Sequence, residues 1–236
     1  MPPYHATVLR VLAVADEEDK RLSVAALRAM PIDLIVSCGD LDFEYLEFLM
    51  DAANKPLYFV PGNHDPDVSR SRDPFAGSGM AAGPIVRIPD HSAAWDSGPG
   101  PTGGTALDGK VVEHGRLRMA GLGGSIRYRP EAANQYTQRE MRRRVRRLER
   151  NARQPLRRRR RPVHLLVTHS PPLGTGDMPD DANRGFESVQ GLIHRLRPRV
   201  MVHGHIHPDG FEKPDRRIGD TLIANVVPSR IVEIEP

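Results

Sequence analysis

MVHGHIH, residues 201–207, reads as an apolar strand end that runs through Gly204 into two histidines two positions apart. Side chains two apart on an extended segment share a face. His205 and His207 are therefore expected to aim their imidazoles at one point, with Gly204 letting the backbone come close. Neutral imidazole is the commonest metal ligand near pH 7. Two imidazoles do not complete a hydrolytic site, and a lone His-x-His is better read as a pair of satisfied surface or core histidines. Carboxylates and amides elsewhere in the chain decide between the two.

Working back from that stretch, the same arrangement recurs four times. Residues 163–168, VHLLVT, form a buried strand that ends in His169. Residues 56–60 form a strand leading into Pro61, Gly62, Asn63, His64 and Asp65. The amide oxygen of Asn63 can ligate a hard or borderline cation, which leaves His64 free to act as an acid; loop chemistry is the alternative, and the position after a third strand makes it the weaker one. Residues 32–37 are followed by Cys38, Gly39 and Asp40, and residues 8–15 by Asp16, Glu17, Glu18 and Asp19. Polar residues at the carboxyl ends of buried strands lie where open α/β sheets place their ligands. Glu17 and Asp19 read instead as acids at a helix start, favoured by its dipole. Cys38 reads as a small buried apolar residue and His164 as a packed one.

Between these strands the spacing predicts helices over 23–30, 41–53, 134–151 and 185–197. In the third, Met141, Val145 and Leu148 fall at i, i+4 and i+7. Residues 110–112 and 117–122 read as an antiparallel pair, and 211–234 as short antiparallel strands at a sheet edge. An irregular, Gly- and Pro-rich insertion at about 67–109 is expected to hold one short strand at 85–88, with Trp95 as its anchor, and to serve as a lid or surface excursion.

A chain of 236 residues fits one α/β domain, taken here as 1–236. No run of about 18 apolar residues is present, so no membrane span is expected. The N-terminus lacks the basic stretch and cleavage site of a signal peptide. Cys38 is the sole cysteine, which excludes an intrachain disulfide and points to a reducing compartment, the cytoplasm. Of 34 basic residues, 30 are arginine. That bias looks like a GC-rich genome and weakens a functional reading of the Arg142 to Arg161 tract, which reads first as a solvated helix face and linker. No aromatic residue interleaves with it, which argues against a stacking platform for single strands.

Asp16, Gly39-Asp40, Gly62-Asn63-His64-Asp65, His169 and Gly204-His205-Ile206-His207, in this order, resemble the calcineurin-like metallophosphoesterases. The chain departs from that pattern at Glu18, where the family carries histidine. THSPPLGTGD at 168–177, Arg184 to Phe186, and NQYT at 134–137 look like a bacterial, phosphodiesterase-like subgroup. The resemblance implies a four-layer α/β/β/α sandwich of two mixed sheets flanked by helices, with two divalent metal ions about 3.5–4 Å apart. Manganese is first choice; magnesium, iron, nickel and zinc are the alternatives. It implies that Asp40 bridges the ions, that Asp16 and His207 hold the first, and that Asn63, His169 and His205 hold the second. Water would attack phosphorus in line, with His64, backed by Asp65 or Asp40, assisting the leaving oxygen. Glu18 either ligates through oxygen, favouring manganese or magnesium, or turns away and weakens the first site. Ser170, Arg184 and Arg127, or Arg129, are candidates to touch a small phosphoester substrate.

Three functions compete at this level. The leading one is a phosphoesterase, with phosphodiesters preferred because no dedicated phosphate loop is recognisable. The second is nucleic-acid binding, with or without nuclease activity, through the arginine tract. The third is a metal-binding scaffold whose altered first motif has reduced its catalysis. Oligomeric state is left open.

Overall fold

Leu-Arg-Val-Leu-Ala-Val, residues 9–14, buries both of its faces. Val11 and Ala13 enter one apolar cluster and Leu12 and Val14 another, which is the pattern of a central strand covered on each side. A computed structural model describes residues 8–67, 100–153, 162–208 and 214–236. The strand expected at 85–88, Trp95, the arginines at 157–161 and Phe211 lie outside the described residues.

The elements run β1 (Leu9–Val14), α1 (Val24–Ala29), β2 (Leu34–Ser37), α2 (Phe43–Ala53), β3 (Leu57–Phe59), β4 (Thr105–Ala106), β5 (Val111–His114), β6 (Leu117–Leu122), β7 (Ser125–Ile126) and β8 (Gln135–Tyr136). They continue with α3 (Gln138–Arg153), β9 (Leu165–Thr168), α4 (Glu187–Leu196), β10 (Val200–His203), β11 (Arg216–Ile218), β12 (Thr221–Asn225) and β13 (Ser229–Ile234). One sheet has the order β13-β1-β2-β3-β4 and a second β11-β12-β10-β9-β6-β5; β7 and β8 form a small pair. Both large sheets are mixed. Among the described strands, only β13 is antiparallel to its neighbour in the first sheet, and in the second the antiparallel strands are the edges β5 and β11.

Three apolar clusters set four layers. Val11, Ala13, Leu34 and Val36 of the first sheet meet Leu117, Met119, Leu165, Val167 and Val202 of the second, so the sheets pack face to face. Leu12, Val14 and Ile35 pack outward on Leu27, Leu46 and Leu49 of α1 and α2. Met141, Val145, Leu148, Val189 and Leu192 of α3 and α4 cover the other sheet through Leu166, Met201 and Ile223. The result is the α/β/β/α sandwich of two mixed sheets, each buried large side chain contributing about 1.5–3 kcal/mol.

Local chemistry fixes the ends. Ser23 caps α1 by accepting from the Ala26 amide at 3.3 Å. The helix expected over 134–151 starts later, because Gln135 and Tyr136 pair with Ser125 and Ile126. Thr137 then opens α3: its hydroxyl accepts from the Glu140 amide at 3.2 Å while Glu140 accepts from the Thr137 amide at 2.8 Å, a reciprocal cap. In the tail, β11 and β13 are antiparallel edge strands, as expected, but they lie on different sheets, and β12 between them runs parallel to β10. Alternation marks a strand without naming its partner. Thr105–Ala106 pairs with β3 within the stretch read as irregular, its signal hidden by the surrounding glycines and prolines.

Candidate metal centre

Five strands, from both sheets, end at one place. β1 delivers Asp16, β2 delivers Asp40, β3 delivers Asn63 and His64, β9 delivers His169 and β10 delivers His205. One ligand atom from each of Asp16, Asp40, His169 and His205 lies within 4.8 Å of every other. Asn63 joins them, its Oδ1 at 2.9 Å from His169 Nε2.

Tight turns make this convergence, and three of the side chains concerned sit on backbone that L-residues rarely adopt. Asp16, Asp40 and His205 have φ of 63°, 56° and 67°, each at a cost of about 1–2 kcal/mol. Held strain of this kind clusters at working sites. Glycine is required beside them. A Cβ on Gly62 would fall 1.9 Å from Asp40 Oδ1, and one on Gly204 would fall 2.2 Å from Asp16 Oδ2. The bare Gly204 lets the His205 amide donate to Asp16 Oδ2 at 2.8 Å.

Second partners set the imidazole tautomers. His205 Nε2 donates to the Ala182 carbonyl at 2.9 Å, which frees Nδ1 as a lone pair. His169 Nδ1 donates to the Cys38 carbonyl at 2.8 Å. Its Nε2 faces Asn63 Oδ1 and, at 3.3 Å, Asp40 Oδ2. Both nitrogens thus look at oxygen, and a neutral ring would set a lone pair against two acceptors. Without a metal ion the ring takes a second proton. Burial would push His169 down, but the charge and hydrogen bond of Asp40, with Asp16 and the Cys38 carbonyl, carry it up to about 9. Burial would raise Asp40, yet the charge and hydrogen bond of His169 hold it below its usual range. Asp16 is raised, chiefly by burial. Burial, with His169 nearby, takes His205 down to about 4. Two carboxylates, an amide oxygen and two imidazoles are a donor set for a borderline divalent ion, and the proton on His169 Nε2 sits where such an ion would satisfy the same oxygens.

Other candidates lie further out. His205 and His207 do not share a face, because the left-handed turn at His205 ends the extended backbone that this required. His207 is half exposed, with Nδ1 at 2.7 Å from Glu17 and Nε2 at 4.0 Å from Asp16 Oδ1. Glu17 therefore has a contact that a helix-start reading did not foresee. Glu18 is exposed on the wall of a cleft of about 200 Å³ shared with Asp16, Asp40, Leu41, Asp42, His64 and Asp65. It is outside the close group of four.

Asp65 does not back the His64 imidazole. Its Oδ2 accepts from the Gly62 and Asp40 amides at 2.8 and 3.0 Å, clamping two loops together. Asp40 Oδ1 accepts the His64 amide at 2.7 Å. Ser170 is buried at 2% exposure, away from any incoming substrate. Arg127 donates to the Gln135 carbonyl and pairs with Glu140 at 3.0 Å, whereas Arg184 is exposed. Both line a second cleft with Tyr128 and Gln138. Tyr128, which sequence reasoning missed, accepts from Asn63 Nδ2 at 3.2 Å and so joins that cleft to the centre. The role of Asn134, in the NQYT stretch, was also missed: it donates to the Asp65 and Pro66 carbonyls.

The sequence profile of the calcineurin-like phosphoesterases matches residues 6–209. Over 59 residues the chain is 41% identical to the UPF0046 protein T07D4.2 of Caenorhabditis elegans, a segment covering 22% of this chain and 15% of that protein. The crystal structure of TT1561 of Thermus thermophilus superposes with a TM-score of 0.55 at 14% identity, covering 92% of this chain and 88% of the other. A further crystal structure gives 0.59 at 14% identity over 93% and 90%. At such identity these structures share the fold.

Proposed function

The chain belongs to the calcineurin-like phosphoesterases, and from that premise we propose that it is a metal-dependent hydrolase cleaving phosphodiesters at the centre built on Asp16, Asp40, Asn63, His169 and His205. The observation that carries this reading is the buried His169 imidazole with three oxygens around its two nitrogens. We assign two divalent ions, manganese first, to the mixed nitrogen and oxygen donors. Asp16, Asp40 and His207 would hold one ion, and Asn63, His169 and His205, again with Asp40, would hold the other. When bound, such ions acidify a water and neutralise phosphoryl oxygens.

The remaining work belongs to the chain. Asp65 holds the Asp40 and Gly62 loops in register. His64 stands exposed at the cleft mouth, its amide tied to Asp40, and is the group assigned to protonate the leaving oxygen. The cleft wall carries Asp16, Glu18, Asp40, Asp42 and Asp65 and, among the described residues, no arginine or lysine. Two divalent ions would offset four of those five charges, and the one that remains repels a doubly charged monoester more than a singly charged diester, which favours diesters. Arg184, beside Tyr128, is the cation assigned to a substrate's far end.

Turnover of bis-p-nitrophenyl phosphate and p-nitrophenyl phosphate with added Mn, Mg, Ni or Zn tests the reading. Metal-dependent turnover with the diester preferred is expected; none with any ion would refute it. His64→Ala is expected to lower kcat by about 10²–10⁴ on diesters with alkoxide leaving groups and far less with p-nitrophenolate, which needs no proton. Equal losses on both would remove His64 from the acid role. Glu18 is assigned to the first ion from the cleft wall. Glu18→Ala is expected to cost about 10–100-fold in metal affinity, and Glu18→His to shift preference toward zinc. Metal content and turnover in Glu18→Ala equal to the parent would exclude the assignment.

A further inference from the structure

The outer face of α3 carries charge that the proposed phosphoester chemistry does not use. Arg139, Arg143, Arg146, Arg147 and Arg150 fall at i, i+4, i+7, i+8 and i+11, which gathers them on one side of the helix. The opposite side is buried against the second sheet. All five arginines are exposed, and among the described residues none of them forms an ion pair. The acids of the helix are engaged elsewhere: Glu140 on Thr137 and Arg127, Glu149 on Arg153 and Arg195. Like charges three and four residues apart repel on a helix, so the stripe works against the element that bears it. Breaches of local rules of this kind are expected at working surfaces.

The stripe fits one class of partner better than others. Five guanidinium groups span about 16 Å of helix at about 1.5 Å per residue, about 4 Å apiece, comparable with the rise of about 3.4 Å along a duplex axis for each phosphate of one strand. Guanidinium forks match phosphate oxygens. A membrane-surface helix would need its apolar face free, and that of α3 is covered. None of the exposed large apolar side chains lies on this helix. No aromatic residue interrupts the stripe, which leaves backbone contacts rather than base stacking. Gln138, at the start of α3, lines the cleft with Arg127, Tyr128 and Arg184, so a strand lying along the helix leads toward the metal centre.

We propose that this face of α3 binds the phosphate backbone of nucleic acid without sequence preference. The binding does not depend on the phosphoesterase reading. The test uses the full chain in chelator, with labelled mixed-sequence DNA, single strand and duplex, of about 20 nucleotides, between about 50 and 200 mM salt. The parent is expected to bind with a steep salt dependence. The triple variant Arg143→Gln, Arg146→Gln, Arg150→Gln is expected to bind at least about tenfold more weakly, with a salt slope reduced by about 2–3. Its turnover of bis-p-nitrophenyl phosphate with metal should match the parent, and its circular dichroism should show the fold intact. Three results overturn the proposal: no binding by the parent, an unchanged slope in the variant, or binding to phosphatidylglycerol vesicles but not to DNA. If parent and variant both lack turnover while binding behaves as stated, the phosphoesterase reading alone fails.

Discussion

Asp40→Asn is expected to lower turnover of bis-p-nitrophenyl phosphate by about 10³-fold, about 4 kcal/mol at about 1.36 kcal/mol per decade, and to leave purified protein with less bound metal. The substitution keeps the shape and the left-handed backbone, since Asn tolerates that conformation at least as well as Asp. It also keeps an oxygen for the His64 amide. What it removes is the charge opposite His169, and with it the group assigned to both ions. Elemental analysis, the rate, and the melting temperature in chelator separate the alternatives. An Asn variant with parental metal content and rate would remove Asp40 from the centre, and a collapse in melting temperature would make its role structural.

Stability of the metal-free chain is expected to peak near pH 6.5 and fall on both sides. His169 is carried up to about 9 in the fold from an ordinary 6.5. Its contribution, about 3 kcal/mol, is present below pH 6.5 and lost as pH rises through 9. His203 and His205 go the other way. Burial takes both down to about 4, so the folded chain stays neutral there while the unfolded chain takes up protons, and stability falls as pH drops from 6.5 to 4. Between pH 6.5 and 9 the melting temperature in chelator should drop by roughly 6–12 °C. Saturating divalent metal should flatten that limb, because an ion in place of the Nε2 proton leaves His169 nothing to release. A flat profile in chelator, or the same fall with metal bound, would count against the arrangement around His169.

Much of the centre was legible because each ligand-type residue follows an apolar run, and in stacked α/β layers such runs end at a common edge. Asp16, Asp40, Asn63, His169 and His205 all met. The divergence of His205 from His207 was not legible, since it turns on one backbone angle that a histidine does not announce. The clamp made by Asp65 was hidden for a related reason: a carboxylate beside a histidine suggests a pair, whereas here it serves two backbone amides. The carbonyls of Cys38 and Ala182, which orient two imidazoles, have no signature in residue type. Only Tyr128 and Asn134 stood near stretches that had drawn notice, and nothing in their identity separated them from ordinary loop residues.

The left-handed backbone at Asp16, Asp40 and His205 bears on how such a chain drifts over generations. Glycine at any of the three would relax the turn and, by that measure alone, make a sturdier protein. At Asp40 the loss of the charge opposite His169, about 3 kcal/mol in the metal-free chain, outweighs that gain of about 1–2 kcal/mol. At Asp16 and His205, by contrast, a lineage screened only for heat resistance would collect glycines, so an aspartate or histidine kept there would record selection for the centre against selection for robustness.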